Sequence, residues 1–443
     1  MKRLLLVGAG HAHAQVMKDW IAAPVAGTTL TLVSPAALAP YSGMVPGWLA
    51  GHYDFEEICI DFDALARAAG ARFIRDEVRT LDAQRRQLHL QGGATLDYDL
   101  LSLNVGSTLT PPAAADSRPR VLSLRPLGRL RERWEALLRD LVQVGAGEFV
   151  ASGPVGLVGP AGPVGPVGSV SPVGPTGPRN LPAAPGGLDR VAAPLRVTAV
   201  GGGAAGVESL LAVLARLRRL QPGRAVSGQL VTRSDSLLPG MAPGAVRAAT
   251  RALDAAGVVL RLGTDYGPAV AVQTDLLLWA TGAEAHGWLS GSGLATSQRG
   301  FIRVDAQLRS VSHPQVFAVG DCAHWSGDAP AAGTTGARAD DGAGLPKAGV
   351  YAVRMGPVLA RNLRAALGQG APVDYRPQRR FLALLATADR QAIAAWNGWS
   401  AQGPRLGRWL WRWKDRIDRG FLRRFERTGA RARGPTAPQE DRA

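Results

Sequence analysis

A glycine-rich turn between a short apolar strand and a helix occurs twice in this chain, and it constrains the fold more than any other feature. The glycines are Gly8 and Gly10 in the first turn and Gly201, Gly203 and Gly206 in the second. Glycine lets the backbone turn tightly and approach a pyrophosphate, and the N–H groups of the following helix bind the anion. Two such turns predict two nucleotides on one chain, an arrangement typical of a flavin that takes electrons from a nicotinamide.

A second pair of matched segments supports a duplicated unit. Residues 98–107 and 274–282 each consist of an acidic start, an apolar strand and a glycine turn, at Gly106 and Gly282 respectively. Residues 316–321 add another apolar strand that ends in Gly320 and Asp321. The pattern predicts an α/β fold with two Rossmann-like domains.

Further segments carry a resemblance to a known family. They are Gly10-His11-Ala12-His13 and residues 40–47, 346–354 and 413–419. With the two turns, they make the chain similar to the two-dinucleotide-binding-domain flavoproteins of the pyridine nucleotide-disulfide oxidoreductase superfamily. Within that superfamily the chain resembles the branch of type II NADH dehydrogenases and sulfide:quinone oxidoreductases. It is most similar to the flavoprotein module fused to selenophosphate synthetase in some proteins.

The resemblance implies a domain plan that covers most of the chain. An FAD-binding domain is expected in two parts, an NAD(P)-binding domain between them, and a C-terminal region with an amphipathic helix. The expected segments are 1–112 (FAD, first part), 113–143 (connecting helix), 144–190 (Gly/Pro-rich insert), 191–290 (NAD(P)), 291–370 (FAD, second part), 371–427 (C-terminal region) and 428–443 (disordered tail). The insert repeats glycine at every third residue, but it is too short and interrupted for a collagen triple helix.

The first turn and its partners are expected to hold FAD. The resemblance places Asp321 against the ribityl hydroxyls, with the Gly8–Gly10 turn and the Gly106 and Gly320 turns beside the cofactor. The third glycine of the fingerprint is replaced by His13, and the acidic ribose ligand by Ser34. His11 and His13 either contact the cofactor or serve as packing residues of the turn.

Two further segments are expected near the flavin ring. The loop from Tyr41 to Pro46 matches the segment that covers the ring in relatives. The residues before Gly349 open a probable helix, whose N-terminus would stabilise an anionic reduced ring. Lys347 would reinforce that charge, unless it is only a surface lysine at a helix start.

The second turn is expected to bind NAD(P)H through its three glycines. Glu208 lies two residues beyond Gly206, where the resemblance puts a glutamate by the nicotinamide; the alternative is a glutamate on the helix surface. The ribose position reads Thr232-Arg233-Ser234, without the carboxylate that would repel a 2′-phosphate. Arg233 could attract that phosphate, so both NADPH and NADH remain open.

The amino-acid composition limits which ligands and surfaces the chain is expected to bind. The formal net charge is +16, which favours anionic ligands or surfaces, although an arginine-rich genome would give the same balance. Two cysteines, Cys59 and Cys322, form neither a disulfide framework nor a redox pair with CxxC spacing, which suits a reducing cytoplasm. No metal site and no nucleic-acid partner are expected, and no apolar run is long enough to span a membrane.

The segment 405–427 combines nine Lys/Arg with three Asp/Glu and several tryptophans. One stripe at helical spacing is predicted from Leu406, Leu410, Trp413, Ile417 and Phe421. A cationic amphipathic helix with tryptophan fits a membrane interface. It would equally pack on the body of the protein or form a homodimer.

These observations predict an enzyme that transfers a hydride from NAD(P)H to FAD and passes electrons to a second acceptor, a quinone by resemblance. Its expected location is the cytoplasm, peripherally on the inner face of the membrane. Two alternatives stay open. One is a flavoprotein that oxidises sulfide or a selenium compound, and the other is a flavin-bearing sensor or scaffold with little turnover.

Overall fold

Two five-stranded parallel sheets organise the part of the chain that the structure describes, and four smaller sheets of two or three strands accompany them. The computed structural model describes residues 1–112, 119–146, 193–325, 344–378 and 382–431. Most of the predicted Gly/Pro-rich insert and most of the predicted tail lie outside these ranges. The C-terminal helix continues to Arg431, three residues beyond the predicted start of the tail.

The strands of the described residues are, in chain order, β1 (Lys2–Val7), β2 (Thr28–Val33), β3 (Leu38–Pro40), β4 (Cys59–Asp61), β5 (Arg72–Ile74), β6 (Val78–Asp82), β7 (Gln87–Leu90), β8 (Thr95–Asp97), β9 (Leu100–Leu103), β10 (Arg120–Ser123), β11 (Leu195–Val200), β12 (Val226–Val231), β13 (Val258–Arg261), β14 (Leu276–Trp279), β15 (Ile302–Val304), β16 (Val316–Ala318), β17 (Ala323–Trp325), β18 (Ala383–Ala386), β19 (Ala392–Trp396) and β20 (Trp399–Ala401). The α-helices are α1 (His11–Ala22), α2 (Val45–Leu49), α3 (Phe62–Ala68), α4 (Leu130–Ala146), α5 (Ala204–Leu220), α6 (Pro243–Ala255), α7 (Pro268–Ala271), α8 (Gly349–Ala366) and α9 (Pro404–Arg431).

The first parallel sheet has the strand order β16-β9-β1-β2-β5. Its central strand is buried on both faces: Leu4 and Leu6 pack in one apolar cluster, while Leu5 and Val7 pack in another. This explains why β1 reads as a continuous apolar run rather than an alternating one. β16, which lies more than 200 residues after β9, completes the same sheet.

The second parallel sheet has the order β10-β14-β11-β12-β13 and repeats the plan of the first. Each of the two sheets also has an Asp–Arg ion pair at the start of its central strand. Asp99 accepts the N–H of Arg3 at 2.6 Å, and Asp275 accepts the N–H of Arg196 at 2.9 Å. The edge strand β10 lies in the segment expected to be only a connecting helix, so the second sheet begins before the Gly/Pro-rich insert.

Strand order places both glycine turns at a reversal point. β1 lies between β9 and β2, and β11 lies between β14 and β12, so each first strand ends where the connections lead off in opposite directions. Ligands of open α/β sheets bind in the crevice at such a point, outside the carboxyl ends of the strands. The structure thus gives two equivalent crevices, one at each turn.

The C-terminal residues form the antiparallel sheet β18-β19-β20 and the long helix α9. α9 packs against β19, β4 and α3, so it bridges this sheet and the first domain. Its packed face includes Leu410, Leu422 and Phe425, each less than 5% exposed. Within the described residues, no helix is long and apolar enough to cross a membrane.

The predicted single stripe on α9 is divided in the structure. Leu410 and Phe421 turn towards the protein, whereas Leu406, Trp413 and Ile417 are 37–44% exposed. At about 100° per residue, the packed face lies roughly a quarter turn from the exposed apolar face. Hydrophobic periodicity missed this division because the packed face also holds two charged side chains, Lys414 and Asp418.

Candidate functional site

The first glycine turn closes tightly over the end of β9. Gly8 has φ +96°, and a Cβ there would lie 2.4 Å from the carbonyl oxygen of Asn104. A Cβ at Gly10 would lie 2.1 Å from the side-chain oxygen of the same asparagine. Gly10 is the N-cap of α1 and supplies no side-chain cap. Both glycines are therefore required by the backbone, as the sequence predicts for this turn.

Asn104 is a functional residue that the sequence analysis missed. Its Oδ1 accepts the N–H of Ala12 at 3.1 Å, and its Nδ2 donates to the carbonyl of Val319 at 3.0 Å. A Cβ at Gly320, where φ is +70°, would lie 2.8 Å from that Nδ2. Asn104 thus joins the first turn to the Gly320-Asp321 segment. The available signal was a polar residue directly after a buried apolar strand.

His13 occupies the position of the third glycine without disrupting the turn. Its Nδ1 lies 2.7 Å from the carbonyl oxygen of Gly8, and its Nε2 lies 2.8 Å from Oγ of Ser102. The ring is fully buried, and this burial lowers the pKa of His13 to about 4. His13 is therefore a neutral packing residue that links the turn to β9.

Asp321 lies in a short 3₁₀ turn among groups from three other segments. Its carboxylate accepts hydrogen bonds from Ser107 Oγ at 3.1 Å and from the guanidinium of Arg125. Arg125 also donates to the main-chain oxygen of Lys347 at 3.0 Å. The structure therefore brings together the Gly106, Asp321 and Lys347 segments, as expected. Arg125 was not anticipated, since it lies outside every glycine motif, and no role was assigned to Ser107, which directly follows Gly106.

Lys347 precedes helix α8, which begins at Gly349 with Ala348 as its N-cap. The ammonium group donates to the carbonyl of Ala323 and lies 3.9 Å from the ring centroid of Phe301. Burial lowers the pKa of Lys347 to about 8. This lysine is a partly buried group of the site rather than a solvated surface lysine.

The loop from Tyr41 meets α1 and α9 in an aromatic cluster. The Tyr41 ring lies 5.3 Å from the ring of His11 and 4.8 Å from that of Phe421, between centroids. Among the described residues, Nε2 of His11 is buried and has no hydrogen-bond partner. Burial lowers the pKa of His11 to about 4, against an opposing effect of Asp321. An uncharged, unpaired imidazole here fits contact with a bound ligand.

Ser34 and Gly106 flank the first crevice. Ser34 follows β2, is buried, and donates its hydroxyl to the carbonyl of Ala36 at 3.0 Å. Gly106 has φ +72°, and a Cβ there would meet no protein atom within 4 Å. Space remains on the Gly106 side, whereas the Ser34 hydroxyl already has a partner in the chain.

In the second turn, glycine is required for two different reasons, close packing at Gly206 and open space at Gly203. A Cβ at Gly206 would lie 1.9 Å from the carbonyl oxygen of Gly201, so packing forbids any side chain there. A Cβ at Gly203 would meet no atom of the described residues within 4 Å, although Gly203 is the N-cap of α5. Glycine at 203 therefore leaves the helix N-terminus open to a ligand. Gly282 lies at the neighbouring turn after β14, and a Cβ there would be 3.7 Å from Arg299.

The ribose position of the second crevice lies at the end of β12. Thr232 is buried, and its Oγ1 accepts the N–H of Ser234 at 3.3 Å. The side chain of Arg233 is 85% exposed, with Asp265 at 3.7 Å. An exposed pair of this kind is weak and leaves the guanidinium available.

Glu208 lies on the face of α5 that packs against the C-terminal sheet. Its Oε1 accepts the N–H of Ala386 at 2.7 Å. Burial raises the pKa of Glu208 to about 7, and the positive charge of Lys414 opposes the rise. Glu208 is therefore a partly buried acid that is held by a backbone N–H.

Neither cysteine is set up for thiolate chemistry. Burial raises the pKa of Cys59 to about 12 and that of Cys322 to about 11. Sγ of Cys322 lies 3.3 Å from the carbonyl oxygen of Val319, so it is held as a buried structural thiol. Among the described residues, no group of three or more His, Cys, Asp or Glu is arranged to hold a metal ion.

Comparison with known proteins gives a family match for part of the chain. Residues 181–336 match the family model described as pyridine nucleotide-disulphide oxidoreductase. No curated protein matches the chain.

Solved structures share the fold over nearly the whole chain. NDH2 from Plasmodium falciparum, solved with NADH, is 13% identical and has a TM-score of 0.67, covering 98% of this chain and 99% of that one. Sulfide:quinone oxidoreductase from Aquifex aeolicus is 14% identical, with a TM-score of 0.66 and coverage of 97% and 92%. Water-forming NADH oxidase from Lactobacillus brevis is 18% identical, with a TM-score of 0.58 and coverage of 89% and 75%.

The mixed α/β fold with two Rossmann-like units is confirmed, and so is the superfamily expected from the sequence. The cofactor set of this family, FAD and NAD(P)H, is the one that the two glycine turns predict. Residues 181–336 thus match the pyridine nucleotide-disulphide oxidoreductase family, and the whole chain has the fold of the solved oxidoreductases, with two nucleotide-binding units.

Proposed function

We propose that this chain takes a hydride from NAD(P)H onto FAD and passes the electrons to a quinone-type acceptor at a membrane surface. The observation that carries the proposal is the pair of equivalent crevices at the two glycine turns, with a partly buried acid, Glu208, beside the second. The family match supports the oxidoreductase part of the proposal.

The residues of the first crevice fit FAD. The turn at Gly8 and Gly10 and the open space at Gly106 suit a pyrophosphate and its ribityl chain. Asp321 would hold hydroxyl groups, and the unpaired imidazole of His11 would face the cofactor. A bound flavin would supply the ring that accepts the hydride and from which two electrons pass to the acceptor. The protein binds and orients the two nucleotides and handles protons at Glu208 and Lys347.

NADPH is the donor that the second crevice favours. Arg233 is exposed and no carboxylate stands at Thr232, so a 2′-phosphate would meet attraction rather than repulsion. A relative supports this interpretation: the engineered variant of the Lactobacillus oxidase that was solved with NADPH replaces consecutive Asp-Ala-Met by Ala-Arg-Ser. The run directly after β12 in this chain reads Thr232-Arg233-Ser234 and shares the Arg-Ser pair.

The quinone acceptor and the membrane location rest on the outer face of α9. Trp409 is 57% exposed, Ile417 is 44% exposed, and basic residues such as Arg408 and Arg412 alternate with them. An apolar face with tryptophan and arginine suits the boundary of an anionic bilayer on the cytoplasmic side. Structural neighbours that include sulfide:quinone oxidoreductase support the same acceptor class.

Oxidation of sulfide or a selenium compound is the second candidate. The likeness to the Aquifex enzyme favours it, whereas the buried, protonated thiols of Cys59 and Cys322 oppose it. A reactive cysteine needs a low pKa and access to substrate.

Anaerobic stopped-flow of the flavin-loaded protein tests the proposal. NADPH, NADH and sulfide are mixed with it in parallel, and bleaching of the flavin absorbance is followed. Fast bleaching by a nicotinamide, with faster reaction for NADPH, is the expected result. Bleaching by sulfide alone would transfer the assignment to chalcogen oxidation, and slow reduction by every donor would indicate a sensor or scaffold.

A further inference from the structure

The three-stranded C-terminal sheet ends in an exposed pair of tryptophans. Trp396, the last residue of β19, pairs with Trp399, the first residue of β20, across a two-residue turn. The two residues are 59% and 79% exposed. Asn397 and Gly398 have φ +50° and +84°, as a tight Asn-Gly hairpin turn requires. Both rings are therefore held at a short hairpin tip, away from the body of the protein.

Both tryptophans lie on the face of the sheet that α9 covers. Side chains alternate between the two faces of a strand, so Trp396 lies on the same face as Ala394. Trp399 likewise lies on the same face as Ala401. Ala394 and Ala401 pack with Leu410 of α9 in one apolar cluster. The two indole rings therefore extend that apolar face beyond the helix and into solvent.

The exposed apolar side of α9 faces the same end of the sheet. α9 packs across β19, and the ring of Trp411 lies 5.9 Å from the guanidinium carbon of Arg390. Arg390 belongs to the turn before β19, at the opposite end of that strand from Trp396. At about 100° per residue, the exposed apolar residues lie about 120–160° around the helix from Trp411, which directs them towards the tip. They are 37–57% exposed, and they are Leu406, Trp409, Trp413 and Ile417.

The segment that carries both features is rich in tryptophan and free of acidic residues. From Ala392 to Trp413 the sequence holds five of the eleven tryptophans of the chain, three arginines and no Asp or Glu. Tryptophan rings lie preferentially at the headgroup level of a bilayer, and arginines there meet the negative charge of anionic lipids. A lipid surface also contacts two separate apolar features at once. Charge and position together therefore favour an anionic bilayer as the occupant.

The hairpin and the helix pack on different nucleotide units. A Cβ at Gly244, at the start of α6, would overlap Oγ of Ser400, so β20 packs directly on the second unit. Arg247, exposed on α6, lies near the same point. α9 packs instead on α3 and β4 of the first unit. A bilayer that touches both the tip and the helix therefore contacts elements that pack on both units.

We propose that the Trp396–Trp399 tip is a second lipid contact, which inserts into the headgroup region of the anionic bilayer that the outer face of α9 binds. This inference rests on the membrane location in the proposed function and adds a contact outside the helix. Two separate contacts fix the orientation of both nucleotide units on the bilayer, whereas one amphipathic helix alone leaves the molecule free to rotate about the helix axis. The rings are already exposed, so they insert without rearrangement of the fold.

Vesicle binding by the full-length, flavin-loaded protein tests this contact. The probes are sedimented vesicles of equal parts phosphatidylcholine and phosphatidylglycerol, with phosphatidylcholine alone as the uncharged reference. Trp396→Ser combined with Trp399→Ser should lower the affinity for the mixed vesicles at least about tenfold, because two large apolar side chains no longer leave water. The matched control is Val259→Ser combined with Val272→Ser. These two residues of the second unit are 58% and 78% exposed, and their loss should leave binding unchanged.

Hydrogen–deuterium exchange locates the contact without any substitution. The amides of residues 396–400 should exchange more slowly when the mixed vesicles are present. The exposed turn at Gly92 and Gly93, between β7 and β8, is the internal control and should exchange at the same rate with and without vesicles. Slower exchange at the tip in the wild type, together with weaker binding of the double tryptophan variant, supports the proposal.

Wild-type affinity in the double tryptophan variant, or unchanged exchange at the tip, overturns the proposal. A wild-type dimer that becomes a monomer in this variant, by lipid-free sedimentation velocity, also overturns it, because the tip would then be an interface between two copies. Thermal unfolding of the variant should match the wild type, since the rings are exposed. Absence of vesicle binding by the wild type overturns both the membrane location and this contact. Absence of flavin reduction by NAD(P)H, with vesicle binding intact, overturns only the proposed electron transfer.

Discussion

Nδ1 of His13 lies 2.7 Å from the carbonyl oxygen of Gly8, and in the second turn the equivalent carbonyl, that of Gly201, leaves no room for even a methyl group at Gly206. The first turn is therefore wider than the second, and the imidazole fills the difference with a hydrogen bond. In both turns, the carbonyl of the first glycine lies close to the third position of the motif. In the second turn, glycine at position 206 leaves that space without a side chain. In the first turn, the imidazole of His13 lies within hydrogen-bonding distance of the carbonyl.

The histidine that stands in place of a glycine at position 13 makes the stability of the protein depend on pH. Burial holds His13 neutral in the folded state, with a pKa of about 4 against about 6.5 when unfolded. Unfolding therefore takes up a proton below pH 6.5, and the free energy of unfolding should decrease as the pH falls from about 6.5 to about 4. The contribution of His13 is on the order of 3 kcal/mol over that range.

Urea unfolding at a series of pH values measures this effect. His13→Asn should flatten the dependence and lower stability at neutral pH, because Ser102 loses its partner. His89→Asn, at an exposed histidine, is the control. An unchanged pH slope in His13→Asn would show that folding does not shift the pKa of this imidazole.

The two glycines of the second turn should respond differently to alanine. Gly206→Ala places a methyl group 1.9 Å from the Gly201 carbonyl, so we expect a loss of several kcal/mol in stability. Gly203→Ala meets no protein atom and should unfold like the wild type. Its methyl group lies instead where a pyrophosphate would approach, so its affinity for NAD(P)H should fall at least about tenfold. Thermal unfolding and nucleotide titration separate the two effects; a Gly203→Ala protein with normal affinity would argue against nucleotide at this helix.

Asp321→Asn should release the flavin. The substitution keeps the shape of the side chain but removes the negative charge. That charge pairs with the guanidinium of Arg125 and strengthens the hydrogen bond that the carboxylate accepts from Ser107. Loss of a charged hydrogen bond of about 1.5–3 kcal/mol corresponds to a roughly ten- to hundredfold weaker affinity. The ratio of flavin to protein absorbance after purification measures it, with Asp97→Asn, at an exposed carboxylate, as the control. Full flavin occupancy in Asp321→Asn would remove this residue from the site.

Arg233→Ala should change donor preference without changing the fold. The side chain is 85% exposed and its only described ion pair is with Asp265, so stability should stay within about 0.5 kcal/mol. The KM for NADPH should rise about tenfold, while that for NADH stays nearly constant, because only NADPH carries the 2′-phosphate. Arg251→Ala, on an exposed face of α6, is the matched control. Equal effects on both donors would contradict a role in phosphate recognition.

Membrane contact is testable on the outer face of α9. The double substitution Trp409→Ser and Trp413→Ser should lower binding to anionic phospholipid vesicles at least about tenfold in sedimentation assays. Reduction of the flavin by NAD(P)H should be unaffected, since both rings point away from the packed face. Val272→Ser, at an exposed apolar residue of the second domain, is the control. Undiminished vesicle binding would exclude this face as the contact surface.

Much of this architecture was predictable because each glycine turn is encoded by a short run of neighbouring residues. Gly8 and Gly201 have positive φ, and Gly206 is required by a backbone contact within its own strand–turn–helix unit, so the spacing of the glycines indicates the turn. Asn104 and Arg125 act across segments far apart in the chain. A single polar residue carries no local pattern, and only the folded arrangement shows what it binds.

The C-terminal helix shows the same limit in another form. Its amphipathic character was predictable, but the face that packs was not, because Lys414 and Asp418 are buried on it. Periodicity assumes that charge faces solvent, and a buried pair with partners in other elements violates that assumption. Trp413 and Ile417 were thus grouped with inward-facing residues, although they remain exposed.

The position of β10 determines what the Gly/Pro-rich segment does to the chain. This edge strand and α4 precede the segment, whereas β14, with which β10 pairs, follows it. The segment therefore interrupts one Rossmann unit from within. Since loop closure costs only about 0.6 kcal/mol for each doubling of length, such a site tolerates insertions of very different size. The second nucleotide unit can thus carry a long insertion between α4 and β11 while its glycine turn stays intact.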